Sequence, residues 1–474
     1  MKVFRHIFPV LVGWGVIGLA LAQAQTSSEA TAGDVLPIGL SPDAGLTLAE
    51  AMTAAERHSF ATRIAAASAE EADERAGQTA AQLGPKLGVD GTNAWISRKV
   101  NKLAGETLPN GVSVPNRIAN GAVVVTQPVF GIGPLLQKLK ADHLNAEALR
   151  ADQTQSISEA RLQGADAYLK ALKAARLYEI ARLSYALVTK QRMDAASMEK
   201  EGKLSAVDVM RLDMATSEAK TQLIQARSLL DVAAIGLVEA LGMSRDQGPV
   251  NLRASATSNF EEQAPALSAA ASLASQAMRH RADLKASGLR IAAAEGYKAV
   301  ASFDYLPVVN GFARYQRDFT ATNRDFPETN SGTVSGHFER ADYQDNLTVG
   351  LTLNWTLWDW GQRSHRAGEL NATTAKAQLA HDALASRIDV EVAQADAELR
   401  FAKEALVQAK ATVRVAEEIY RAMELKFKNG LATTTDLIVT ERDQTRARAN
   451  LANIRGDLDL AWLRLQKVSG DRVG

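Results

Sequence analysis

The sequence predicts a mainly α-helical chain that carries a few membrane-length β-strands, organised as a tandem repeat of helix, strand, strand, long helix and helix. Three observations predict this. From Asn346 to Leu357, Leu347, Val349, Leu351, Leu353, Trp355 and Leu357 alternate with Asn346, Thr348, Gly350, Thr352, Asn354 and Thr356. Such alternation over about a dozen residues exceeds the usual half-buried strand of about five or six and suits a tilted strand crossing a bilayer. In the following Pro-free run, Val392, Ala395, Leu399, Ala402, Leu406, Ala409, Val413, Ala416, Tyr420, Met423 and Phe427 step by three and four, the seam of a coiled coil. Finally, Gly133 and Gly202 recur as Gly361 and Gly430 at one common offset of 228 residues, and Asp208, Leu230 and Gly242 recur as Asp436, Leu458 and Gly470 at the same offset.

Composition narrows the classes. Of 474 residues, 46% are hydrophobic and only 5% aromatic, which favours long, closely packed helices over a β-sandwich. The formal net charge is zero, so no general pull toward nucleic acid is expected. Cysteine is absent, which excludes disulfides, thiolate metal sites, a cysteine nucleophile and a lipidated N-terminal cysteine.

In chain order, Lys2 and Arg5 precede an apolar run from about Ile7 to Ala22 and small residues suited to cleavage. Residues 1–24 are therefore expected to be a signal peptide, and 25–45 a flexible leader. The first repeat is expected over 46–242, with one helix from about Leu46 to Leu83 and strands at about 87–100 and 118–129. Loop chemistry from Asn101 to Arg117 joins these strands. Pro134 opens the long helix, where a missing N–H costs nothing. A linker at 243–265 leads to the second repeat, 266–470, with one helix from about Ala266 to Phe303 and strands at about 308–319 and 346–358. Before the strands the repeat offset is 222, pairing Arg57, His58 and Pro85 with Arg279, His280 and Pro307.

Four strands cannot close a barrel, and an unpaired strand edge cannot face lipid, so membrane strands here require several chains in one barrel. The alternative is a periplasmic coiled-coil interaction protein, adaptor-like and without a pore, whose strands form an ordinary sheet.

The signal peptide, the tandem layout, the runs TQPVFGIG (Thr126–Gly133) and WTLWDWG (Trp355–Gly361) before the long helices, and KNGLATTTDL (Lys428–Leu437) at a helical break resemble the TolC-like outer-membrane efflux proteins. The resemblance covers about Leu46 to Gly470. It implies a homotrimer in the outer membrane of a Gram-negative bacterium, with a twelve-stranded β-barrel (four strands per chain) continued by a long α-helical coiled-coil barrel across the periplasm. It also implies partners, a periplasmic adaptor (membrane fusion) protein and an inner-membrane transporter of a tripartite efflux or type I secretion system.

On that resemblance Asp436 and Asp208 are candidates for the periplasmic entrance and its gating. Gly202, Lys203, Gly430 and Leu431 belong to hairpin tips that dock the adaptor, and Trp355, Trp358 and Trp360 to an aromatic girdle at the membrane surface. The pattern departs from the best-known members at Val439 and Ala432, where acidic and basic residues stand in some of them. Thr433 and Asp436, like Ser205 and Asp208, also fit a helix-capping box, compatible with a gating role. No H-E-x-x-H, phosphate-loop or G-x-S-x-G spacing occurs, so no enzyme, metal or cofactor is expected.

Overall fold

The computed structural model describes residues 38–41, 45–95, 99–103, 106–113, 117–242, 250–253, 270–325 and 337–470. The expected signal peptide and the leader up to residue 37 lie outside them.

The first repeat contains α1 (Leu48–His58), α2 (Phe60–Ala81), β2 (Lys86–Trp95), β5 (Arg117–Phe130), α3 (Gly133–Lys200) and α4 (Ala206–Leu241). The second contains α5 (Ala270–His280), α6 (Ala282–Ser302), β7 (Val308–Asp325), β8 (His337–Asn354), α7 (Gln362–Lys428) and α8 (Thr434–Ser469). The long helices have 68 and 67 residues, which at about 1.5 Å per residue gives roughly 100 Å each.

Each helix expected before the strands is in fact two, broken at Ser59 and at Arg281, positions related by the 222-residue offset. Both residues are extended, with ψ of 121° and 126°. Ser59 caps α2 by accepting from the Thr62 N–H. Arg281 is buried instead, donating to Asp283 at 3.1 and 2.7 Å and to Glu391 at 2.7 Å. Beside these breaks, His58 packs against Gly242 and His280 against Gly470, the left-handed caps of α4 and α8. A Cβ on Gly242 would fall 2.5 Å from that of His58, so the paired histidines pack helix ends together.

Two stretches expected to be unstructured pair instead. Part of the leader forms β1 (Ile38–Ser41), parallel to β6 (Val250–Arg253), whose Leu252 is fully buried in a cluster with Met52, Tyr168, Leu172, Leu241 and Leu463. Across the expected loop Asn101–Arg117 and the two residues before it, β3 (Lys99–Leu103) and β4 (Glu106–Ser113) make a hairpin.

The main sheet is antiparallel, ordered β2-β5-β7-β8, so a β5–β7 pair joins the repeats and β2 and β8 are its two edges. Helices follow the same rule: α3 packs on α4, α7 on α8, and α3 on α8, which leaves α4 and α7 at the outside. Among the described residues no helix is long and apolar enough to cross a membrane.

Candidate functional site

The sheet has two chemically distinct faces. Val89, Val123, Tyr315 and Leu347 lie in one row across all four strands, and Leu87, Val125, Ala313 and Val349 in the next. Leu347, Val349, Leu351 and Leu353 are 61–73% exposed, a continuous apolar face that no described residue of this chain covers. At one end Arg317 grips Asp345 with two bonds of 2.6 and 2.9 Å, and the rings of Phe319 and Tyr343 meet at 5.2 Å. At the other end stand the tryptophans. The ten residue steps from Asp345 to Trp355, at a strand tilt of about 40°, make a band roughly 25 Å tall, the height of an outer-membrane barrel's apolar belt.

The opposite face carries a polar ladder that sequence reasoning did not single out. Arg314 donates to Gln316 at 2.8 Å, Gln316 to Asp318 at 2.5 Å, and Asn346 to Asp318 at 3.2 Å, while Arg314 lies 3.9 Å from Asp90. Its signal was present as polar residues at every second position from Arg314 to Asp318.

Strand β8 ends at Asn354, short of the expected 358, so Trp355, Trp358 and Trp360 lie in the turn to α7 and not on the strand. Asp359 holds this turn: its carboxylate accepts from the backbone N–H of Gly361 and of Arg363, both at 3.1 Å, and from the Arg363 side chain at 2.6 Å, which caps the start of α7 at the expected Gln362. The Arg363 guanidinium stacks 4.7 Å from the Tyr305 ring, and Trp355 Nε1 donates to the Tyr305 carbonyl at 3.2 Å. Trp360, at φ 55°, is the sole non-glycine residue with positive φ among the described residues, and it is 88% exposed.

At the far ends of the long helices Gly202 and Gly430 adopt φ of 74° and 72°, a left-handed conformation that glycine takes without a Cβ clash. Lys203 pairs with Glu201 at 2.7 Å, and Leu431 is 76% exposed. Thr433 and Asp436 form a complete capping box. The Thr433 hydroxyl accepts from the Asp436 N–H, and the Asp436 carboxylate accepts from the Thr433 N–H at 3.1 Å and hydroxyl at 2.7 Å. These bonds hold the Asp436 carboxyl below the ordinary carboxylate value. Ser205 likewise accepts from the Asp208 N–H and donates to its carboxylate at 2.6 Å, which lowers the Asp208 value.

The structure joins the two tips. Arg211, 3.6 Å from Asp208, donates to Thr435 of the other hairpin at 3.1 Å, and Arg442 pairs with Glu218. Beneath them Leu187, Met198, Leu204 and Ala432 pack on Tyr420, Phe427 and Leu437. The tryptophans and the tip aspartates thus occupy opposite ends of the long helices.

Residues 273–471 match the model of the outer membrane efflux protein family. No curated protein matches the chain in sequence. Among solved structures, the fold is similar to the outer membrane protein VceC of Vibrio cholerae, at 16% identity and TM-score 0.69, covering 90% of this chain and 97% of that one. The outer membrane channel CmeC of Campylobacter jejuni is similar at 12% identity and TM-score 0.68, covering 96% and 94%. For the outer membrane channel MtrE of Neisseria gonorrhoeae the values are 15%, 0.67, 90% and 89%. The outer-membrane location expected from the sequence agrees with the family match, and the fold is one that channel proteins use. The chain is therefore similar to the TolC-like outer-membrane efflux proteins, in sequence across its second repeat and in fold across nearly all of its described length.

Proposed function

We propose that three copies of this chain form an outer-membrane channel, the exit duct of a tripartite efflux or type I secretion system. The observation that carries this reading is the pair of open edges. Among the described residues no further strand pairs with the outer edges of β2 and β8, and lipid does not tolerate an open sheet edge, while one sheet face is apolar and the other lined by the Arg314–Asp318 ladder. Three copies give twelve strands, with the apolar face toward lipid and the polar ladder toward water. The edge helices continue the wall as a periplasmic tunnel.

In this reading Trp355, Trp358 and Trp360 sit at the periplasmic surface of the membrane, and Gly202, Lys203, Gly430 and Leu431 at the tunnel tip, where an adaptor docks to connect an inner-membrane transporter. Asp208 and Asp436 stand near the entrance. Both remain ionised at neutral pH, since their hydrogen bonds favour the charged form, so they favour cations there.

The test is the mass of the particle extracted by detergent from separated outer membranes of cells expressing the full chain. A particle of three chains is expected. A single chain in the outer membrane, or protein only in the soluble periplasm, overturns the channel and leaves the adaptor-like alternative. In planar bilayers, Asp436→Asn is expected to reduce cation preference, and unchanged ion selectivity would remove Asp436 from the entrance.

A further inference from the structure

The tandem repeat specifies a second contact surface residue by residue. Within the chain, α3 of the first repeat packs on α8 of the second. Glu159 pairs with Lys467 at 3.4 Å, Lys173 lies 3.5 Å from Asp457, and Ser184 donates to Glu441 at 2.6 Å. The repeat relates α3 to α7 and α8 to α4 by 228 residues, as in Gly202 to Gly430. Moving each contact by that offset relates Glu159 to Arg387 and Lys467 to Glu239, Lys173 to Phe401 and Asp457 to Leu229, Ser184 to Thr412 and Glu441 to Asp213.

All six of these residues are exposed in the chain, on its two edge helices. The mapped partners remain chemically complementary. An acid–base pair becomes a base–acid pair with the signs exchanged, a hydroxyl–carboxylate pair stays one, and an ion pair becomes an apolar pair. Phe401 is 74% exposed and Leu229 58%, large apolar surface that a helix wall would normally cover.

We propose that α7 of one copy seats on α4 of a second copy through the same register that joins α3 to α8 inside each chain, so that Arg387 meets Glu239, Phe401 meets Leu229 and Thr412 meets Asp213 of the next copy. The occupant of this edge is a second copy of this chain because the complementary edge lies on the same molecule. Such head-to-tail contacts close into a ring when the rotation permits. The inference rests on the trimeric reading and adds the register of its seam.

The chain has no cysteine, so engineered pairs report on this seam alone. A Cβ on Gly456 would lie 3.8 Å from the Lys173 Cβ, the usual separation in a disulfide, and this pair maps onto Ser228 and Phe401. Oxidised full chain carrying Ser228→Cys and Phe401→Cys, in outer membranes, is expected to run as two and three covalently joined chains on denaturing gels. Lys173→Cys with Gly456→Cys is expected to close within one chain and to add no mass. A second variant, Thr412→Cys with Asp213→Cys, bridged by a short bis-maleimide, guards against a single misfolded pair. If the particle has three chains but neither seam pair links them, the register is wrong while the channel reading stands. If no multichain particle forms, both fall.

Discussion

The two strand-to-helix turns occupy equivalent places in the repeats, yet they are held by different physics. In the first, Gly131 has φ 78° and a Cβ there would stand 2.7 Å from the Pro307 carbonyl oxygen, while one on Gly133 would stand 2.6 Å from the Phe303 ring. Packing closes that turn. In the second, the nearest atom to a Cβ on Gly361 would be 3.9 Å away, and the Asp359 carboxylate does the holding. The carboxylate-held turn presents Trp358 and Trp360 outward, whereas the packed turn presents the smaller Phe130 at the position that Trp358 takes in the repeat.

Substitutions separate the two. Gly131→Ala combines a backbone clash with a disfavoured φ and is expected to cost about 3 kcal/mol, read as an early loss of helical circular dichroism on heating in detergent. At Gly361 only the φ of 90° opposes a side chain, so Gly361→Ala should cost about 1 kcal/mol. Equal losses would mean that packing closes both turns alike. Asp359→Asn retains one good acceptor in place of a carboxylate. It should free the Trp358–Trp360 pair, now edge to face at 5.8 Å, and alter tryptophan fluorescence without lowering helix content. No fluorescence change would show that the aromatic contact alone fixes the turn.

At the tips the same comparison is milder. Thr433→Ala removes the hydroxyl of a complete capping box and should cost about 1 kcal/mol, seen as faster amide exchange in the first turn of α8. Smallest of all is the effect of pH. Because the folded-state value of Asp436 is depressed, its stabilisation is fully present above the ordinary carboxylate value of about 3.9 and is lost as pH falls below it. Exchange at the Thr433 amide should therefore quicken only in acid, and acceleration beginning near neutrality would contradict the assigned bonds.

Patterns that repeat along the chain made much of this architecture legible. Alternation located the strands, the three-four spacing located the α7 seam, and recurring glycines gave the repeat. Local competition hid the rest. Around Ser59 and Arg281 the flanks are alanine-rich helix formers, and the second break is built by a buried guanidinium whose partner, Glu391, lies 110 residues away. Pro109 and Gly111 read as loop, yet β4 runs through them in a two-stranded hairpin. The outer ends of β7 and β8 reach Asp325 and His337 through polar residues that carry no alternation. At the candidate entrance, the Thr433–Asp436 spacing announced a cap, but Arg211 bonding to Thr435 required two remote hairpins to be side by side.

Duplication also has a consequence for how this molecule can vary. An identical-subunit ring built from single repeats would print every substitution at all of its sectors. In the three-copy ring proposed above, a change made in one repeat would reach only alternate sectors, so a tryptophan-rich turn and a glycine-closed turn would coexist around one circumference, each free to drift without rewriting the other.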